Sequence, residues 1–291
     1  MVSMRLEWDI NSNDNALFVT AQCNNRCIMC CQPPLSHDDI DALYAKNIQI
    51  INSAPEGIKV VGITGGEPTL LGERLFSLIE HIRRKLPSAA IHILSNGRNF
   101  SDLDYTRKLK EVGEDKVFVG IPIHSDYYKD HDLIAGVNGA FEETMHGLYN
   151  LNSVGIDIEL RIVINAINYR RLANLSNYIF KNLPFVSWVA FMGMEHIGYA
   201  ISNEKTIWIE PIEYKSILTN AVKTLASWNI DVSVYNIPHC LLDNSIWEYA
   251  QKSISDWKAQ YISTCEKCAM KDKCCGLFST SKNIYKGIKS L

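Results

Sequence analysis

Short runs of apolar, mostly β-branched residues alternate along the chain with longer stretches in which apolar residues recur at helical spacing. Runs of the first kind predict strands, and stretches of the second kind predict amphipathic helices. The predicted strands are 16–22, 59–65, 90–96, 116–125, 157–167 and 187–193. The helices predicted to follow them are 38–53, 72–86, 105–113, 141–155, 169–183 and 212–228.

The predicted strands are apolar on both faces, which is typical of strands covered by helices. Strand–helix–strand crossovers are right-handed, and this predicts a parallel sheet. Six units are too few for a closed eight-stranded barrel. We therefore predict an α/β fold, a partial (β/α)6 TIM-type barrel, with its site at the carboxyl ends of the strands. Residues 231–237 could add one more strand.

The periodic pattern ends after residue 237. The chain has 291 residues and is 47% apolar, which is enough for one large core. Five of the nine cysteines lie in the last segment, 238–291. We predict two domains, a barrel at 1–237 and a small cysteine-rich C-terminal extension at 238–291.

Charge and composition exclude several classes of protein. A net charge of −3 gives no basic field for nucleic acid. No apolar run approaches the ~20 residues that span a bilayer, and the first residues lack the pattern of a signal peptide. We expect a cytoplasmic protein that binds neither nucleic acid nor a membrane. In that reducing compartment, clustered cysteines indicate metal or redox chemistry rather than disulfides.

The first cysteine cluster is QCNNRCIMCCQPP, residues 22–34, directly after the first predicted strand. Cys23, Cys27 and Cys30 are spaced CxxxCxxC. Three thiolates can hold three irons of a [4Fe-4S] cluster and leave the fourth iron open, whereas electron-transfer clusters take four cysteines. A zinc site is the alternative, but it needs four ligands. Cys31 could supply the fourth only awkwardly, since neighbouring side chains point apart.

The second motif is ITGGEPTLLG, residues 63–72, at the end of the second predicted strand. Glycines permit close approach of a ligand to the backbone, and a glutamate can accept from an ammonium group. Together with CxxxCxxC on the first loop, the motif resembles the radical S-adenosylmethionine (radical SAM) superfamily. The resemblance implies that the open iron binds the amino and carboxylate groups of S-adenosylmethionine. It also implies that Gly65, Gly66 and Glu67 bind the amino end of this cofactor.

Further positions match the superfamily less specifically. LSNG, residues 94–97, resembles the TNG of relatives, although a cap and turn explains it equally well. The other matches fall where related enzymes contact the cluster or the ribose, carboxylate and adenine of the cofactor. Met29 stands where many relatives carry an aromatic residue. The resemblance gives these cofactor positions: Met29, Ser95, Asn96, Ser125, Arg161 and Met192. His124 and His131 are interpreted as structural.

The tail holds a second group of thiols, in IPHC (237–240) and CEKCAMKDKCCGLF (265–278). The spacing indicates a metal site, and zinc and iron–sulfur share this ligand type. Following such a barrel, the tail resembles the auxiliary-cluster extensions called SPASM or twitch domains. The resemblance implies an auxiliary [4Fe-4S] cluster, with zinc as the alternative. Its ligands would be Cys240, Cys265, Cys268 and Cys274, with Cys275 able to replace Cys274.

Three segments and the CCGLF tail resemble one particular family within this superfamily. Residues 121–151, 182–200 and 253–261 resemble the His-Xaa-Ser system radical SAM maturases, which are paired enzymes. The resemblance implies modification, as a crosslink, of side chains in a ribosomally made precursor peptide. It implies as partners that peptide, a second radical SAM maturase, and a reductant such as a ferredoxin or flavodoxin.

Two other functions stay open at this point. Only about 15 residues precede the first predicted strand, so we expect no N-terminal peptide-binding domain. This keeps open a radical SAM enzyme that acts on a small metabolite or nucleoside. The alternative of another class is a non-catalytic iron–sulfur scaffold or electron-transfer partner of a paired maturase. An intact CxxxCxxC and GGEP argue against it, because a scaffold needs no open iron.

Overall fold

The predicted alternation of strands and helices is present in the computed structural model, which describes residues 8–12, 15–253, 258–281 and 284–291. Part of the 253–261 segment, residues 254–257, therefore lies outside the described residues, as do residues 1–7 of the N-terminal segment. The strands of the main sheet are β1 (Ala16–Phe18), β2 (Val60–Thr64), β3 (Ala90–Leu94), β4 (Val117–Pro122), β5 (Asp157–Val163), β6 (Trp188–Met192), β7 (Asp231–Tyr235) and β8 (Ala250–Gln251).

The helices lie between these strands as the pattern predicted. They are α1 (Ile40–Asn52), α2 (Glu73–Lys85), α3 (Leu103–Gly113), α4 (Tyr128–Ala135), α5 (Ala140–Ser153), α6 (Leu172–Asn182), α7 (Tyr199–Ser202), α8 (Glu204–Ile207) and α9 (Pro211–Ser227). In the tail, β9 (Ala259–Gln260) pairs antiparallel with β10 (Leu277–Phe278).

The main sheet has eight strands in the order β1 to β8, which is also their order in the chain. The pairs from β1 to β4 and from β6 to β8 are parallel, with Ala16 opposite Gly62 and Trp188 opposite Asp231. The α/β fold class with a partial barrel is thereby confirmed. The additional strand expected at 231–237 is β7. Strand β8 was not predicted, because two residues carry no periodic pattern.

Burial follows the predicted faces. In β2, Val61 and Ile63 are fully buried, and in β3 Ile91 and Ile93 are, while the residues between them are half-buried. Helix α2 buries one stripe at helical spacing, comprising Leu75, Leu78, Ile79 and Ile82. Each such side chain contributes about 1.5–3 kcal/mol by leaving water. The buried stripe therefore fixes α2 against the sheet that carries the strand-end loops.

Helix starts are marked by side-chain caps. The Asp39 carboxylate accepts from Ala42 N at the start of α1, and Asp102 accepts from Asp104 N at the start of α3. Such caps satisfy backbone N–H groups that have no partner inside the helix. Helix α4 was not predicted. It ends at Gly136, whose φ of 69° favours glycine.

The chain divides into two compact units. The first comprises residues 1–26, 32–122 and 139–159, and the second comprises 27–31, 123–138 and 160–291. The division passes through the first cysteine cluster, which leaves Cys23 in the first unit and Cys27 and Cys30 in the second. The boundary predicted between residues 237 and 238 stays a prediction. Among the helices of the described residues, none is both long and apolar enough to cross a bilayer.

Candidate functional site

In the first unit, the segment between β1 and Cys23 is held by one carboxylate. Asp38 accepts hydrogen bonds from Thr20 Oγ1 at 2.9 Å, from Gln22 Nε2 at 2.7 Å and from Ala21 N. Partial burial alone would raise the pKa of Asp38, but these hydrogen bonds outweigh it and lower the pKa. A charged acceptor just before α1 therefore fixes the chain that leads into the first cysteine.

The two glycines after β2 lie directly against this segment. A Cβ on Gly66 would stand 2.0 Å from the carbonyl oxygen of Gln22, and one on Gly65 would stand 2.4 Å from that of Thr20. Gly66 N donates to Thr20 O at 2.6 Å. No side chain fits at either position unless the backbone moves. In this structure, the two glycines allow their backbone to lie close to the loop that precedes Cys23.

Glu67 is fully buried at the end of β2. Its Oε1 accepts from Thr69 N at 3.0 Å, from Thr69 Oγ1 at 2.7 Å and from Ser95 Oγ at 2.7 Å, and its Oε2 accepts from Asn96 N at 2.7 Å. Burial raises the pKa of Glu67, and these hydrogen bonds oppose the increase. The structure thus brings together three predicted cofactor residues, Glu67, Ser95 and Asn96.

Asn96 also reaches the first cysteine loop. Its Nδ2 donates to Asn24 Oδ1 at 2.6 Å and lies 3.9 Å from Cys23 Sγ. Asn25 N donates to the same sulfur at 3.3 Å. Burial raises the pKa of the Cys23 thiol, and the bond from Asn25 opposes this. Two N–H groups therefore point at the sulfur that is predicted to bind iron.

Arg98 is a residue of this site that the sequence reasoning missed. Its Nη1 donates to Asn24 O at 2.7 Å and to Asn25 Oδ1 at 2.9 Å, and its Nε pairs with Glu143 at 2.5 Å. The guanidinium therefore holds the backbone next to Cys23. The position of Arg98 directly after LSNG is the signal that could have indicated it. Asp38 was also missed, and it lies just before helix α1.

In the second unit, residues 27–31 form a turn in which Cys30 N donates to Cys27 O at 3.0 Å. Ile28 N donates to the carbonyl of Ile134 in α4 at 3.0 Å, and Asn203 Nδ2 donates to Ile28 O at 2.8 Å. Helix α4, absent from the prediction, thus supports the second and third cysteines of the motif.

The carbonyl of Cys30 makes a close contact with the start of α7. Tyr199 N donates to it at 2.9 Å, and a Cβ on Gly198 would stand 2.4 Å from it. Gly198 has a φ of 60°, which favours glycine. Cys31 is exposed, and its carbonyl also lies against Gly198. No role is predicted for Gly198 from the sequence, where it is one position of the segment 182–200.

Met29 packs partly buried against a small apolar cluster, and its sulfur accepts from Asn165 Nδ2 at 3.6 Å. The buried members of that cluster are Met194, Ala200 and Ile207. Met192 ends β6, and its carbonyl accepts from Ile164 N at 2.9 Å. The carboxyl end of β6 and the helices after it therefore provide the apolar surroundings of Met29, which lies within the first cysteine motif.

Ser125 is fully buried after β4, and its Oγ accepts from Tyr127 N at 3.2 Å. Arg161 lies in β5, where its carbonyl accepts from Ile123 N at 3.1 Å. The adjacent rings of His124 and His131 are buried, and His131 Nδ1 accepts from His124 N at 3.2 Å. Burial lowers the pKa of His131 to about 4 and that of His124 well below its usual value, so both are neutral near pH 7.

The tail brings its predicted ligands together. Four cysteines line one cavity, and they are Cys240, Cys265, Cys268 and Cys274. Cys275 is only 5% exposed and is not among the lining residues; its Sγ donates to Gly276 O at 3.3 Å. In the described parts of the chain, no group of three or more His, Cys, Asp or Glu side chains is placed so that it could hold one metal ion.

Neighbouring Cys274 and Cys275 have opposite acidities. The neighbouring Cys275 side chain, together with His239 and Gly276 N, lowers the pKa of Cys274 to about 4 although burial opposes this. The neighbouring Cys274 sulfur and burial raise the pKa of Cys275 well above its usual value. A thiolate is the form that binds metals. The donor chemistry of the cavity therefore fits a thiolate-bound centre, with Cys274 on its wall.

A family model described as the radical SAM superfamily matches residues 17–175. The Fe-coproporphyrin III synthase of Methanosarcina barkeri is 31% identical over 154 residues, covering 52% of this chain and 37% of that protein. The GTP 3',8-cyclase of Helicobacter pylori is 29% identical over 183 residues, covering 61% of this chain and 55% of that protein. The chain thus spans less than two thirds of the length of these relatives.

Solved structures with the same fold include SuiB of Streptococcus suis bound to S-adenosylmethionine. The TM-score is 0.61 at 13% identity, over 84% of this chain and 54% of that one. A second is anSMEcpe with bound AdoMet and the Cp18Cys peptide, with a TM-score of 0.57 at 18% identity, over 75% of this chain and 62% of that one. At these identities the likeness shows the fold alone.

Proposed function

The chain belongs to the radical SAM superfamily, and we propose from this premise that it crosslinks side chains of a ribosomally made precursor peptide. The observation that carries the peptide assignment is the cavity that four tail cysteines line. A cysteine-rich extension of this kind resembles the SPASM or twitch extensions of peptide-modifying members. When bound, the cluster and S-adenosylmethionine supply a 5'-deoxyadenosyl radical that takes a hydrogen atom from the substrate.

The residues of the first site have separate roles in this proposal. Cys23, Cys27 and Cys30 hold the cluster. Thiolate is the ligand type that iron–sulfur clusters require. Asn25 N and Asn96 Nδ2 already point at the sulfur of Cys23. Hydrogen bonds to a ligand sulfur tune the centre that it binds.

The cofactor is held by residues at the strand ends. Gly65, Gly66 and Glu67 bind its amino end, and the four hydrogen bonds to Glu67 fix that carboxyl group in orientation. Ser95 and Asn96 act by holding Glu67. The remaining cofactor contacts in the proposal are Met29, Ser125, Arg161 and Met192.

The tail holds an auxiliary [4Fe-4S] cluster in this proposal. The cavity lining favours Cys274 over Cys275 as the fourth ligand, since Cys275 is buried and its sulfur donates to Gly276 O. Zinc would use the same thiolates. The two metals are distinguished by iron and zinc content and by redox activity, since zinc has none.

A peptide substrate is supported by what the structural neighbours hold. SuiB has been solved bound to its precursor peptide SuiA, and anSMEcpe with a peptide. The resemblance to the His-Xaa-Ser maturases gives the kind of peptide. The proposed partners are the precursor, a second maturase, and a ferredoxin or flavodoxin as reductant.

The test uses a short peptide with His-Xaa-Ser repeats where one is encoded beside this gene, and otherwise a synthetic peptide with such repeats. Anaerobically reconstituted protein, S-adenosylmethionine and reductant are incubated with the peptide, with and without the paired maturase if one is encoded there. A crosslink removes two hydrogen atoms per event, which mass spectrometry detects, and fragmentation locates the joined residues. An unmodified peptide under conditions that yield 5'-deoxyadenosine would contradict the peptide assignment.

A second candidate function is favoured by the sequence relatives. GTP 3',8-cyclases and an Fe-coproporphyrin III synthase are among the curated proteins that this chain resembles over about half its length or more. The names of these relatives indicate a radical SAM enzyme that acts on a small metabolite or nucleoside. Turnover of GTP by the same preparation, followed by chromatography, tests it directly. A non-catalytic scaffold would release no 5'-deoxyadenosine in either assay.

A further inference from the structure

Three of the four cysteines that line the tail cavity lie within one hairpin, residues 258–281, which we call the tail hairpin. Its strands are β9 and β10, with Gln260 opposite Leu277. At its base, Ser279 N donates to Lys258 O at 2.8 Å. The three cysteines lie in the loop between the strands. The base of the hairpin is therefore a separate feature from the part that carries the thiols.

The base of the tail hairpin contacts the segment that follows β6, residues 194–199, which we call the bridging segment. Ser281 is fully buried, and its Oγ accepts from His196 N at 2.9 Å and donates to Met194 O at 3.4 Å. One hydroxyl of the tail thus bonds two backbone groups of the bridging segment.

A second contact joins the same two parts. Lys258 Nζ lies 3.0 Å from Glu195 Oε1, and it also lies over the ring of Phe278 in β10, 5.5 Å from the centroid. Both charged side chains are partly buried, so solvent screens their attraction less than it would screen that of an exposed pair. The ion pair therefore holds the residue between the two whose backbone Ser281 bonds.

The other end of the bridging segment contacts the first cysteine motif. Tyr199 N donates to Cys30 O at 2.9 Å, and a Cβ on Gly198 would collide with the same carbonyl. Met194, at the start of the segment, belongs to the apolar cluster against which Met29 packs. All of these residues lie in the second unit. The bridging segment thus has the tail on one side and the turn of the first motif on the other.

We propose that the base of the tail hairpin positions the third cysteine of the first motif, with Ser281 and Lys258 as positioning residues that act on Cys30 through the bridging segment. A carbonyl that is held at a fixed point restricts where the thiol of the same residue can lie, and groups that orient a ligand support metal affinity. The inference depends neither on the peptide assignment nor on the tail metal, because the contacts lie outside the loop that carries the tail thiols.

Hydrogen exchange of the reconstituted full-length protein, followed by mass spectrometry, is the first measurement. Tyr199 is the first residue of α7, where an N–H has no partner within the helix, so its exchange reports the bond to Cys30. Ser281→Ala removes the partner of two backbone groups, and exchange at Tyr199 should become faster by about tenfold. Lys258→Met should raise the rate by about 2–5-fold, and Lys258→Arg should restore it because the cation is kept.

Ser176→Ala is the matched control. Ser176 is also fully buried in the second unit, and its Oγ donates to Ala221 O at 3.2 Å, between α6 and α9. Its loss should leave exchange at Tyr199 unchanged. Lys258→Met, at a partly exposed position, provides the same test if the Ser281→Ala protein does not fold.

The second measurement concerns the first cluster itself. In the Cys265→Ala/Cys268→Ala protein the remaining irons belong to the first site, so their loss to a chelator reports on that site alone. Adding Ser281→Ala should make this loss faster by about tenfold, since partners that orient a ligand contribute that much to metal affinity. Adding Ser176→Ala should leave the rate unchanged.

Three results would overturn the inference. Unchanged exchange at Tyr199 in both Ser281→Ala and Lys258→Met shows that the tail does not hold the bridging segment. Faster exchange with an unchanged rate of iron loss shows that the segment does not position Cys30. Equal effects of Ser176→Ala and Ser281→Ala show general destabilisation instead. Failure of the peptide assignment is seen separately, as an unmodified peptide, because neither measurement uses the peptide.

Discussion

The two cysteine clusters are held by different means. In the first unit, the chain around Cys23 is bonded to the carboxylate of Asp38 and the guanidinium of Arg98, at the ends of strands in the main sheet. The tail is built from short 3-10 turns and a pair of two-residue strands. Apolar side chains that the tail buries include those of Leu241, Ile246 and Leu277. The first loop is shaped by the sheet, whereas the proposed metal would add to the order of the tail.

The largest effect should come from Cys27→Ala. Two thiolates cannot hold the cluster and keep an open iron, so formation of 5'-deoxyadenosine should fall by more than about 100-fold. The tail should keep its own irons, which separates the two clusters. Cys31→Ala is the matched control and should leave cleavage intact. Product formation by the Cys27 variant would refute the mechanism.

The Cys265→Ala/Cys268→Ala protein should show the opposite pattern. About four irons should remain, and S-adenosylmethionine should still be cleaved without substrate, because that step needs the first site alone. Peptide modification should be lost, as measured by mass spectrometry.

Reconstitution with zinc distinguishes two explanations of that loss. The tail metal could be needed as an electron acceptor, or it could be needed only to fold the tail. A tail reconstituted with zinc should fold but stay inactive, because zinc has no redox chemistry. Full crosslinking by the zinc-loaded tail would leave a folding role only. Circular dichroism and limited proteolysis of the tail report its order independently of activity.

Glu67→Ala should have a smaller effect within the first site. Loss of a charged acceptor should weaken S-adenosylmethionine binding by about 10–100-fold, since hydrogen bonds to charged groups contribute about 1.5–3 kcal/mol. Iron content should stay near that of the wild type, and calorimetry measures the affinity. Glu73→Ala, at an exposed position on α2, is the control. Loss of iron instead would make Glu67 structural.

The smallest effect should be seen at Asp38. Its folded pKa is lowered, so its stabilising contribution is present at neutral pH and is lost as the pH falls through the usual value of 3.8 to the folded value. Asp38→Asn should therefore lower the free energy of unfolding by about 1 kcal/mol at pH 7. Urea unfolding should show the two proteins converging in acid. A constant difference between them would exclude the charge as the cause.

The main elements could be predicted because their patterns are local. Strands β2 to β7 and the long helices lie within a few residues of the predicted ranges. Helix α4 escaped prediction because eight residues with three charges show little periodicity. Strands β8 to β10, of two residues each, have no pattern to detect.

Within the site, the predicted residues belong to short motifs. The residues that were missed bind segments that lie far from them in the sequence. Asp38 binds a segment 16–18 residues earlier, and Arg98 binds one 73–74 residues earlier. No local rule links such positions. The choice between Cys274 and Cys275 likewise depends on a backbone turn, which places one thiol on the cavity wall and buries the other.

The contact between Gly66 and Gln22 bears on how such sequences drift over evolutionary time. A side chain at position 66 would collide with a backbone carbonyl whether or not a cofactor is bound. A descendant that had lost its chemistry would still be selected to keep the glycine pair, as long as its first loop kept this path. Persistence of the pair in a relative is therefore evidence of shared loop packing before it is evidence of a working enzyme.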